Sequence, residues 1–257
     1  MATTSNPAFS NDMFAGYEQV YGSSRSTTMT VQGAAVKTLI LLAIMLATAA
    51  WSWTNFSSGN IAFGVVAISG IAGFVVSMIT IFKPTTAPIT APIYAAFEGV
   101  FLGAISQAIQ IRYQDKYPGS GGIVMQAVSL TAGVLCVMMF VYATRLIRVT
   151  DKLRLAIVSA TCAVALFYVA SMVLRLFGFG TPALFVANPM LGIGFSLFVV
   201  GLAAFNLLLD FDFIEKSAAH EAPKYMEWYG AFGLMVTLIW LYIEILRLLM
   251  RLADRRN

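Results

Sequence analysis

"FNLLLDFDFIEK", residues 205–216, ends a long apolar run with Asp210, Asp212 and Glu215 in close succession. An acid beside membrane hydrocarbon is costly unless a partner or a proton compensates it. The fold therefore turns on whether this run belongs to a membrane span or to a soluble core. Composition decides. Charged residues are 11% of the 257 and hydrophobic residues 59%, where a soluble domain carries about 25% charge. So few charges cannot wet the surface of a globule this size, and the chain reads as an all-α integral membrane protein.

Working outward, seven apolar segments fall at 33–53, 61–82, 89–111, 122–144, 153–176, 189–211 and 228–249. Each is near the roughly 20 residues of a helical span. The connections are short and marked by Gly and Pro, leaving no room for a second domain. Residues 1–28 are a polar Ser/Thr/Asn-rich tail, read as mobile, ahead of a membrane domain at 29–257. Thr28 or Thr30 caps the first helix. A retained span is preferred to a cleaved signal, because no basic region precedes the run, although "LATAAWS" (46–52) is a small-residue pattern. The connection "GFGTPALFVANP" (177–188) is expected to dip partly into the membrane.

The net charge of +4 lies in short basic clusters between apolar segments, as loop anchors do, so the partner is the lipid bilayer and not nucleic acid. The fourth connection, "RLIRVTDKLR" (145–154), is the densest and puts the N-terminus in the cytoplasm. Counting sides for seven crossings gives nine basic residues against seven. A last segment that turned back would sharpen that asymmetry, so the side of the C-terminus stays open. Cys136 and Cys162 sit inside apolar segments and read as buried, inert thiols. One histidine, His220, cannot build a zinc site with them. No phosphate loop or nucleophile motif is present, and no cofactor is expected. Gly99–Gly103 forms a GxxxG, and Ser69/Gly73 a second small-residue pair, read as packing surfaces within the bundle.

Four acids fall within or at the end of spans: Glu98, Asp210, Asp212 and Glu244. Glu98 has no basic residue within ten positions on either side, which marks it as a functional intramembrane acid. Asp210 and Asp212 stand about 200° apart around a helix, so they cannot face one neighbour. Asn206 shares the face of Asp210, and Glu215 that of Asp212. One aspartate is expected to face the bundle and the other water. Asp212 and Glu215 could equally cap the water end beside Lys216. Glu244 could equally pair with Arg247.

These residues carry a resemblance. "FEGVFLGAIS" (97–106), "LLLDFDFIEK" (207–216) and "LIWLYIEILRLL" (238–249) together resemble the Bax inhibitor family, nearest its bacterial YccA-like branch. "SNPAF" (5–9) is similar to the tails of actinobacterial members. The resemblance implies a bacterial inner-membrane protein with six helices around a central C-terminal helix. It also implies a pH-sensitive calcium leak, gated by an aspartate pair on helices 6 and 7 that shares a proton. The sixth-helix acid falls on Asp212 or Asp210, with Asp212 preferred. The seventh-helix aspartate is replaced by Glu244, or the position is taken by Thr237. Asp212 and Glu244 would then be transient calcium ligands. A modulator of a membrane protease or stress response, acting through the tail, is the alternative. A proton-coupled transporter finds no internal repeat to support it, and an enzyme is not expected.

Overall fold

The computed structural model describes residues 27–57, 59, 63–114, 122–178 and 189–255. Their helices are α1 (Val31–Ser57), α2 (Phe63–Phe82), α3 (Ala87–Arg112), α4 (Gly122–Ala143), α5 (Asp151–Leu176), α6 (Pro189–Ala219) and α7 (Met226–Arg255). All seven are long and apolar enough to cross a membrane, and the chain is a multi-pass membrane protein. The "SNPAF" tail and the 177–188 connection, except Phe177 and Gly178, lie outside the described residues.

Helix α7 is the most enclosed span. It packs against α1, α3, α4 and α6, while α2 leans on α3, and α5 on α6. Apolar side chains of α4, α6 and α7, among them Ile123, Leu207, Leu208 and Leu241, fill one core; Leu41, Ala95 and Met235 belong to a second, built by α1, α3 and α7. Between hydrocarbon-solvated helices there is no hydrophobic drive, so close backbone approach and hydrogen bonds set the packing. The GxxxG provides this approach within the molecule. Gly99 lies against Met45 and Thr48 of α1, and Gly103 against Ala49. Ser52 donates to the Val100 carbonyl at 2.7 Å. Thr80 of α2 meets Thr90 of α3 at 2.8 Å, and Ser106 of α3 meets Tyr242 of α7 at 2.7 Å.

Two segments run past their expected ends. Helix α6 continues to Ala219 and α7 to Arg255, so Asp210, Asp212 and Glu215 lie within the helix and not at its tip. The extension holds because Asp212 and Glu215 meet basic groups of α5 and of the α4–α5 connection. Helix α7 is continuous over 30 residues, so the last segment does not turn back.

Thr30 is the cap of α1, accepting from the Gly33 amide at 2.9 Å. The residues before it do not hang free. Thr28 pairs with Pro223 in an isolated bridge, Met29 N donates to Ala222 O at 2.7 Å, and Lys224 N donates to Thr27 O at 3.0 Å. The root of the tail is thus docked on the α6–α7 connection.

Candidate functional site

Helices α6 and α7 lie side by side, and polar groups line their contact in layers. Asp210 comes first. Its Oδ2 is buried and has no hydrogen-bond partner. The side chain facing it from α7 is Thr237, whose hydroxyl donates to its own helix at Gly233 O, 3.3 Å away. Asn206, one turn earlier on α6, donates to Leu202 O and to Thr161 Oγ1 of α5, both at 2.9 Å.

Asp212 takes a different course. It is 7% exposed and is held by the Arg154 guanidinium of α5 and by Lys216 Nζ at 2.9 Å. Glu215 accepts from Tyr142 and from Arg145 Nη2 at 2.7 Å. The end of α6 is therefore tied by charge to α5 and to the α4–α5 connection, which carries Arg145, and by a hydrogen bond to Tyr142 of α4.

Glu244 is 1% exposed. Arg247 Nη1 donates to both its oxygens, at 2.8 and 3.0 Å, and Tyr168 OH of α5 donates to Oε1 at 2.9 Å. The same Arg247 nitrogen donates to Tyr168 OH at 2.6 Å, and its guanidinium lies 4.9 Å over the Tyr168 ring. One turn further, Arg251 donates to the Gly192 carbonyl of α6.

This arrangement corrects the expected pair. Asp212 and Glu244 do not face one another. Glu244 is seven residues beyond Thr237, about 10 Å along the axis, and each acid has its own cation. The two expected calcium ligands are accordingly not brought together. The acid that faces α7 is Asp210, and the residue facing it is Thr237. The expectation that one aspartate meets water also fails, because Asp212 is enclosed by its ion pairs. Glu244 does pair with Arg247, but deep in the bundle.

Glu98 stands apart from this seam. It packs against Gly73 of α2, half-buried, with no hydrogen bond or ion pair among the described residues. The absence of a close basic neighbour in sequence is matched by its absence in space. His220 is exposed near the end of α6.

Sequence reasoning missed three contributors. Arg154, Thr161 and Tyr168 are polar positions spaced by seven along α5, and that spacing was the available signal. It also missed Glu227, which is fully buried in the first turn of α7. Glu227 Oε1 accepts from Thr30 N at 3.0 Å and Thr30 Oγ1 at 2.9 Å, and pairs with Lys224 at 2.9 Å. Its carboxylate fills the space where a side chain on Gly33 would sit. An acid in a first helical turn reads as a dipole partner, which hides this second role.

No curated protein and no solved structure matches this chain. A model of one family, Bax inhibitor 1 like, matches residues 6–254, which takes in all seven helices together with the acids of the α6–α7 seam. The chain belongs to the Bax inhibitor 1-like family of membrane proteins.

Proposed function

We propose that this protein is a pH-sensitive cation leak of a bacterial inner membrane, with calcium as the ion and the N-terminus cytoplasmic. The seam between α6 and α7 is its gate, and Asp210 its proton-bearing group. The observation that carries this reading is the buried, unpartnered Oδ2 of Asp210 at the helix contact. A neutral carboxyl is tolerated against Thr237 and the surrounding apolar side chains. A carboxylate is not, because no cation among the described residues reaches it and burial of a bare charge is costly. Deprotonation therefore favours a seam opened to water, in which the acid becomes a hard oxygen ligand for a passing cation. Glu98 is a second bare acid, on the α3 side, for such an ion to visit. No enzymatic step enters this reading.

Calcium flux into liposomes across pH 6 to 8 is the test. Flux is expected to rise with pH in the wild type and to be low and flat in Asp210→Asn, with Asp212→Asn retaining the slope. A slope in Asp210→Asn equal to that of the wild type overturns the assignment.

The docked root of the tail supports a second reading, a modulator of a membrane protease that presents residues 1–26 from the α6–α7 connection. Deleting residues 2–26 separates the two. A leak survives the deletion, whereas binding to a protease through the tail does not.

A further inference from the structure

Helix α5 is attached unlike the others. Helices α1, α3, α4 and α7 interlock through backbone approaches and shared cores, and these contacts cannot be separated without opening voids. Helix α5 packs its backbone chiefly on α6. Outward it shows Leu155, Val158, Leu166, Val169 and Met172 to lipid. Inward, a modest apolar strip of Ile157 and Val164 meets Val199 and Leu202.

Phe195, Leu209 and Trp240 pack against this strip, with the Phe167 ring edge-on to Phe195, and the polar part of the attachment repeats every seven residues. Arg154 holds Asp212, Thr161 accepts from Asn206, and Tyr168 donates to Glu244 while stacking under Arg247. A spacing of seven drifts only about 20° per step around a helix, so the three lie in one stripe along the seam. They reach the Asp212, Asn206 and Glu244 layers but not Asp210, whose own contact is with Thr237 of α7.

We propose that α5 is the bolt of the gate: Arg154, Thr161 and Tyr168 are positioning residues that keep the α6–α7 seam shut, and the seam opens when α5 detaches. The inference rests on the reading of the seam as an ion path. Polar contacts suit a reversible bolt, because each partner is left a charged or hydrogen-bonding alternative. Asp212 keeps Lys216, Glu244 keeps Arg247, and Asn206 keeps Leu202 O when α5 leaves. On α5, the Arg154 side chain is already 44% exposed and can reach headgroup water along its apolar stem.

The chain carries its own reporters. Cys136 on α4 and Cys162 on α5, expected to be buried, are instead free and exposed, because each lies on the outward face of its helix, and α4 packs on α6 and α7. Spin labels on these two native cysteines, in the full chain in lipid nanodiscs, read the displacement of α5 by double electron–electron resonance. Tyr168→Phe removes one hydroxyl and keeps the ring. It is expected to raise the ratio of long to short distances about fivefold, the size of one interhelical hydrogen bond in a membrane, and Arg154→Gln is expected to add to it. Leu166→Ala, on the lipid face, leaves the ratio unchanged.

An unchanged distribution in folded Tyr168→Phe and Arg154→Gln overturns the bolt, as does an equal shift in Leu166→Ala. Calcium flux is measured on the same samples. Flux that rises with the long distance supports both readings. A shift in distance with no flux in any sample supports the bolt and overturns the leak. Flux that rises without a shift overturns the bolt alone.

Discussion

Removing the guanidinium of Arg247 would leave Glu244 with only the Tyr168 hydroxyl, at 1% exposure. A buried ion pair broken on one side costs about 3–5 kcal/mol, mostly the penalty of the charge left behind. Arg247→Ala is therefore expected to lose stability of that order in reversible unfolding from mixed micelles, whereas the same change in a Glu244→Gln background costs far less. Equal losses in both backgrounds would show that Arg247 acts by packing and not by charge. Asp210 is the opposite case at the same scale. Among the described residues its carboxyl has no resident cation. Two acids of one helix thus differ: Asp212 ties α6 to α5 by charge, and Asp210 meets only the side chain of Thr237.

At the scale of helices, α1 and α3 form the tightest pair, and Gly103 shows why. Its Cα faces the backbone of Ala49, so a larger side chain meets carbonyl and Cα atoms that cannot swing aside. Gly103→Leu is expected to cost at least about 3 kcal/mol, the upper part of the overpacking range, read as a lowered midpoint of thermal unfolding in detergent. The small gain in helix propensity on replacing a glycine, about 1 kcal/mol, does not offset it. Such packing was legible before any coordinates, because a GxxxG in an apolar run has few other uses. The seven spans were legible for the same reason, length and apolarity being nearly sufficient in lipid. The ends of α6 and α7 were not. A cluster of acids after an apolar run looks like a water-facing cap, and only the position of Arg145 in the α4–α5 connection and Arg154 on α5 reveals otherwise. The register of α6 on α7 was hidden too. Sequence admits Glu244 or Thr237 opposite the sixth-helix acid, and the choice depends on where the connecting turn places the start of α7. The stripe on α5 went unread because Arg, Thr and Tyr do not look alike, although each is polar at the same spacing.

The molecule as a whole has a fixed part and a loose part. The fixed part is α7 with α1, α3 and α4 around it, built on small residues and continuous apolar cores. The loose part is α5, with α6 between it and α7. Charges are placed accordingly: the Arg154–Asp212 ion pair lies on the loose side, whereas the fixed part is joined by apolar and glycine-tight contacts together with neutral hydroxyl bonds such as Ser106–Tyr242. The face that bears Thr27 also collects Arg145, Arg154, Lys216 and Lys224, each paired with an acid of α6 or α7. These basic residues thus clamp the chain's last two helices.

The bridge between Thr28 and Pro223, with Glu227 reaching 197 residues back to Thr30, has a consequence for biogenesis. Thr28 and Thr30 wait for Pro223 and Glu227, far later in the chain, before they gain these partners. Helix α1 has its cap from the start but not its anchor, and α1, α3, α4 and α6 line a place that α7 fills. Loop closure over so long a separation comes late, so no stable N-terminal half is expected to accumulate during synthesis. A ribosome that stalls before the final helix leaves a chain with this groove open to lipid and Asp210 without Thr237 beside it. Completion of the bundle is therefore a single late event, in which the last helix to arrive also fastens the first.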